Sequence, residues 1–157
     1  MTAIPFPTSR HRRRPAALPA YVRPASLRSV LTAPAIYSLT IPLALLDLFV
    51  TVYQHLCFPM NGIALVPRTR YFQFDRHRLP YLNALERVNC GFCSYANGVL
   101  AYTREVASRT ETYWCPIQHA RPVRDAHRRY ATYFAYGDHQ AYRSGLAQMR
   151  RTVAPRR

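Results

Sequence analysis

Residues 36–58 form one long apolar stretch, and it constrains the fold more than any other feature of the chain. No arginine lies between Arg28 and Arg68, and Asp47 is the only acid in that interval. As a helix rising about 1.5 Å per residue, the stretch matches a hydrocarbon core about 30 Å thick. It is not apolar all round. Asp47, Thr51, Gln54 and His55 recur at i, i+4, i+7 and i+8, which places them on one stripe of a helix. Pro34 and Pro42 are expected to bend or divide it. Three arrangements suit this pattern. A single span would set the stripe against a partner helix or a second copy, through Asp47, Thr51 and His55. An interfacial helix from about 43 to 58 would turn the stripe toward water and lipid headgroups. A buried helix would pair Asp47 with an arginine. An acid inside an apolar helix is often functional, with His55 two turns on as its partner; the plainer reading is a packing hydrogen bond or an arginine pair.

The 157 residues suffice for one domain. Residues 1–28 carry six arginines and five prolines and are expected to be a disordered tail. They lack the pattern of a signal peptide, since no apolar core follows promptly; a true start near Ser29 is the alternative. The apolar membrane-associated segment is then 29–58, an α-rich Cys/His-containing region 59–151, and a basic tail 152–157. Formal charge is +15, from 22 arginines and seven acids. That excess attracts anionic partners, either phospholipid headgroups or nucleic acid. Arginines at Arg10–Arg14, Arg150–Arg151 and Arg156–Arg157 also account for much of it as a solvated surface. Twelve tyrosines among the arginines suit nucleic-acid stacking, but no nucleic-acid motif supports it. Membrane lipid is the expected partner. Basic residues flank the apolar segment on both sides, which fits a re-entrant or monotopic segment with both flanks cytoplasmic.

The expected fold class is mainly α: one apolar membrane-associated helix, then a small α-rich region with a minor β hairpin. Pro59-Met-Asn-Gly62 reads as a turn. Ile63–Val66 and Tyr71–Phe74 are β-prone runs suited to the hairpin. Leu79–Asn89 reads as a short helix, with Asp75 as its cap. A second helix is expected over 97–112, carrying a Glu105–Arg109 pair at i,i+4. Residues 113–122 read as a loop, and 125–135 and 138–151 as helices. Gly137 suits a stop and Asp138 an N-cap.

Cys90 and Cys93, followed by Cys115 and His119, have spacings with which one backbone turn grips a metal ion. Thiolates and imidazole suit zinc or an iron–sulfur cluster, with Cys57 as an alternative fourth ligand. A straight helix over 94–114 would separate Cys93 from Cys115 by about 30 Å. One shared ion therefore requires a break, for which Asn97-Gly98 is the expected place, or a site shared by two chains. The cysteines also read as small buried apolar groups. A thiol redox role rests on Cys90 standing just before a helix, whose N-terminal dipole would favour a thiolate. His77 and Asp75 form a further ligand-and-carboxylate candidate. A hydrolase is disfavoured, because no Ser/His/Asp order, nucleophile elbow or phosphate-cradling glycine loop is present.

Further residues carry a family likeness: Asp47-Leu-Phe-Val-Thr-Val-Tyr-Gln, Phe74-Asp75-Arg76-His77, Tyr81-Leu-Asn-Ala-Leu-Glu86, Asn89-Cys90, Cys93-Ser-Tyr95-Ala-Asn97-Gly98, Tyr102, Arg104-Glu105, Arg109-Thr-Glu111, Tyr113-Trp114-Cys115-Pro116-Ile117 and His119-Ala120. On these, residues 30–143 resemble a family of small uncharacterised proteobacterial membrane-associated proteins. The resemblance implies membrane linkage and assigns no activity. The Arg/Pro-rich N-terminus departs from it.

Overall fold

The structure, a computed structural model, describes residues 27–76 and 79–155. The N-terminal tail, the His77 half of the Asp75/His77 pair and Arg156–Arg157 lie outside the described residues. The fold is mainly helical, led by one long apolar helical segment. Helix α1 (Leu27–Ser38) runs almost directly into α2 (Thr40–Met60). Pro42 has no N–H to offer the Ser38 carbonyl, and the helix steps at Leu39. Asn61 closes α2, its backbone N–H reaching Cys57 and Phe58 carbonyls at 3.2 Å, and Gly62 turns the chain at φ +64°. Helix α3 (Ala84–Trp114) begins with a reciprocal capping box: Asn83 accepts from the Glu86 N–H at 2.9 Å, and Glu86 accepts from the Asn83 N–H at 2.7 Å. Helix α4 (His139–Arg151) starts at Asp138, which accepts from the Ala141 N–H at 2.9 Å.

Helices α2 and α3 run parallel. The Tyr37 and Phe92 rings meet at 6.0 Å, Tyr95 donates to Asp47 at 3.2 Å, and Tyr53 meets Thr110 at 3.0 Å, so both chains advance together. A parallel pair needs a returning segment, and residues 61–83 supply it. Ile63 and Val66 from that segment pack with Phe58, Tyr102, Val106 and Val153 in the core. Val153 therefore belongs to the packed body, although it lies within the expected basic tail.

Three local expectations are corrected. There is no strand among the described residues; the only ladder contact is one isolated bridge between Ile117 and Phe134. Ile63–Val66 and Tyr71–Phe74 do not pair because other groups satisfy their backbone. The Ala64 N–H donates to the Val153 carbonyl at 2.8 Å, and the buried Gln54 amide both accepts from and donates to Val66. The helices expected at 79–89 and 97–112 are one helix, capped by Asn83 and not by Asp75. Residues 125–135 hold only a 3-10 turn, Tyr130–Thr132, because their side chains are recruited onto α3.

Gly98 does not break α3; it admits the returning segment. A Cβ there would stand 2.9 Å from Phe72 Cδ1 and 3.1 Å from the Tyr71 carbonyl oxygen. The ring can swing, but the carbonyl belongs to fixed backbone. Gly98→Ala is expected to destabilise by about 1–2 kcal/mol, overpacking outweighing a helix-propensity gain of about 1 kcal/mol. Urea unfolding checks this, and a more stable variant would show the approach to be looser.

Candidate functional site

Two polar assemblies stand out, one on each side of α3. The first lies between α2 and the returning segment. The inward side of α2 mixes polar and apolar residues: Gln54 is 1% exposed and Asp47 8%, beside the fully buried Phe58. Other large apolar residues of the helix face outward: Ile41 is 66% exposed, Phe49 67%, Leu56 62% and Leu45 51%. These last four repeat at helical spacing along one side. Asp47 is met by Arg68 through both guanidinium Nη atoms, Nη2 lying 2.9 Å from Oδ2. Thr51 accepts from Arg68 Nη1 at 3.0 Å. Arg68 also sits over the Phe72 ring at 4.5 Å and near Tyr102 at 5.5 Å. The arginine-pair reading of Asp47 is the arrangement formed. His55 is exposed and meets its own helix at the Thr51 carbonyl, 2.7 Å away, so it does not partner Asp47. Asp47 and Thr51 are thus engaged within the chain.

The second assembly lines a cleft of about 1160 Å³ between α3, α4 and the loop before Tyr130. Glu105 accepts from Arg109 Nε at 2.9 Å and from Arg129 Nη2 at 2.7 Å and Nη1 at 2.9 Å. Burial opposes the Glu105 charge, but the hydrogen bonds from Arg129 and Arg109 outweigh it and hold the carboxyl below its ordinary pKa. One turn on, Ser108 Oγ lies 3.0 Å from His127 Nδ1, and His127 Nε2 lies 2.7 Å from Glu111. In the tautomer that carries its hydrogen on Nε2, His127 donates to Glu111 and accepts from the Ser108 hydroxyl at Nδ1. That is a nucleophile, base and orienting acid in sequence. Three facts make it a structural clamp. Ser108 is only 2% exposed, and its neighbouring amides lie inside α3, where they serve the helix and not an oxyanion. Arg129 Nη1 also donates to Ser108 at 3.0 Å.

Acid should test this network directly. A depressed native pKa makes the Glu105 contribution complete above the unfolded value of about 4.3, and it is lost as pH falls through the native value. Glu105→Gln should therefore flatten part of the acid limb of a stability–pH curve measured from pH about 6 to 2. At the other extreme, burial pushes the Tyr133 hydroxyl up to about 12, with the Thr112 hydrogen bond opposing. Its contribution is present below the unfolded value of about 10 and is lost as pH rises toward 12.

The sequence-predicted ligands are scattered. Cys90 and Cys93 sit one turn apart on α3, half-buried and exposed, and Cys115 is exposed just past its C-terminus. Because α3 is unbroken, Cys115 lies about 33–38 Å along the axis from the pair, at about 1.5 Å per residue. His119 stacks on Tyr130 and donates its backbone N–H to the Tyr130 hydroxyl at 2.6 Å. Cys57 is half-buried near the end of α2. Among the described residues no three His, Cys, Asp or Glu side chains gather as a metal site. Cys90 is also nearly two turns inside α3, beyond the first turn where the helix dipole acts.

Sequence reasoning missed the cleft. The available signal was the set Glu105, Ser108 and Thr112 at i, i+3 and i+7, a second polar stripe on a helix. Comparison with known protein families, curated proteins and solved structures finds no match. The functional reading therefore rests on the geometry.

Proposed function

We propose that this chain is a monotopic membrane-associated protein of the bacterial inner membrane, with an accessory, non-enzymatic role and its arginine-rich region on the cytoplasmic side. The observation that carries the reading is the outward side of α2, where large apolar residues stand exposed along one side of the helix. The stretch Leu31–Met60 has a mean hydropathy of 1.9 over its most apolar window, yet only 6% of that window is buried. The core helix of a water-soluble protein would be mostly buried. An in-plane placement suits the inner side of α2 better than a span. Arg68 and the arginine-bearing half of α3 lie alongside α2, and a crossing helix would carry them to the same depth in hydrocarbon. Together α1 and α2 hold about 50 Å of helix at about 1.5 Å per residue, more than a single crossing of a ~30 Å hydrocarbon core takes up. Basic residues on both flanks support placing both on the cytoplasmic side, and the bacterial setting comes from the sequence resemblance.

Zinc or an iron–sulfur cluster enters this reading only as a site shared between chains, since α3 keeps Cys90 and Cys93 away from Cys115 and His119. Flotation with phosphatidylglycerol–phosphatidylcholine vesicles tests the membrane reading. Binding should persist in 1 M salt, where the screening length is about 3 Å and charge attraction alone fails. Complete release at that salt would overturn apolar insertion and favour a purely charge-driven partner such as nucleic acid.

A further inference from the structure

We propose that the cleft between α3 and α4 is a binding site for a soluble, phosphate-bearing ligand. Its walls carry Arg70, Arg104, Arg109, Arg128 and Arg129 against one carboxylate, Glu105. Five of the seven acids are already engaged: Asp47 is held by Arg68, Glu86 and Asp138 cap helices, Glu111 meets His127, and Glu105 is shared by two arginines; neither of the other two, Asp75 and Asp125, lines the cleft. Among the described residues the Arg70 and Arg128 side chains have no hydrogen-bond or ion-pair partner, and Arg104 reaches only the Asp125 carbonyl.

The arrangement is also built in advance of any ligand. Glu105 fixes two guanidinium planes, and the Ala64 and Leu65 carbonyls take Nη1 of Arg109, leaving its Nη2 without an acceptor. Fixed guanidinium forks with free donors match phosphate oxygens and need little reorganisation to bind them.

Orientation selects a soluble ligand over a headgroup of the membrane that α2 would occupy. On α3, Val106 and Thr110 face α2, where Thr110 meets Tyr53 at 3.0 Å. Glu105, Ser108 and Thr112 face the cleft, on another side of the helix. The cleft thus opens away from the outward apolar side of α2.

Calorimetric titration of the full chain with inorganic pyrophosphate tests this. The Arg70→Gln/Arg128→Gln variant removes two arginines without internal partners, so its thermal unfolding should match the parent. Its pyrophosphate affinity should fall about tenfold or more, since charge-assisted hydrogen bonds are lost. Arg143→Gln, outside the cleft lining, should bind as the parent does. Vesicle binding should be unchanged in the double variant. Equal affinity in parent and double variant, or an equal loss in Arg143→Gln, would overturn the site. Loss of phosphatidylglycerol-vesicle binding in the double variant, with no pyrophosphate binding by the parent, would assign the arginines to lipid and overturn the soluble ligand.

Discussion

Changing Leu45, Phe49 and Leu56 together to aspartate should release the protein from phosphatidylglycerol–phosphatidylcholine vesicles, lowering partitioning by at least about a hundredfold. Each side chain projects outward from α2 at 51–67% exposure. Burying a large apolar side chain stabilises by about 1.5–3 kcal/mol, so three exceed the 2.7 kcal/mol or so that a hundredfold represents. The body should barely register the change, because none of the three belongs to the core; surface substitutions usually move stability by about 0.5 kcal/mol or less. Vesicle flotation paired with urea unfolding reads both quantities. Undiminished partitioning would show that another surface holds the protein to lipid. A collapse of stability would show that α2 faces inward where the structure turns it outward.

Asp47→Ala should destabilise the fold by about 2–4 kcal/mol, the larger part coming from the charge it strands. Arg68 would lose its carboxylate while still held between Phe72 and Tyr102, and Tyr95 and Thr51 would lose an acceptor. Arg68 is 39% exposed along its side chain, so water relieves part of the cost and keeps it below that of a fully buried charge. Replacing both members, Asp47→Leu with Arg68→Met, should recover most of the loss, since no orphaned charge remains. A double-mutant cycle measured by urea unfolding checks it. Additive losses would mean that the two residues are not coupled and that the seam under α2 is held by Gln54 and Phe58 instead.

The spacing of Asp47, Thr51 and Gln54 was legible as one stripe, but the direction it faces was not. Periodicity fixes which residues share a side and is silent on whether that side meets protein, lipid or water. Here the answer came from Arg68 and Tyr95, residues far along the chain that only tertiary folding brings to Asp47. The same limit hid the cleft. Glu105–Arg109 was visible as a local pair, whereas Arg129 and His127 join it across a loop whose composition suggested helix. Asp125 takes a left-handed conformation at φ 52°, and the polar side chains after it bond to α3. Tertiary contacts overrode local preference there. Gly98 misled in the opposite sense: it suggested a break, and its actual use is to let the Tyr71–Phe72 backbone lie against a continuous helix. That continuity is what separates Cys90 and Cys93 from Cys115.

Depth in the bilayer tests the central claim most directly. Single tryptophans placed in turn at Leu45, Phe49, Val52 and Leu56, in a Trp114→Phe background, can be quenched by lipids brominated at defined carbons. Strong quenching is expected at all four, at one shared shallow depth of about 5–10 Å below the headgroups. A depth that changes steadily from 45 to 56 would make α2 a crossing helix, and no quenching at any of the four would remove lipid from the outward side of α2 altogether.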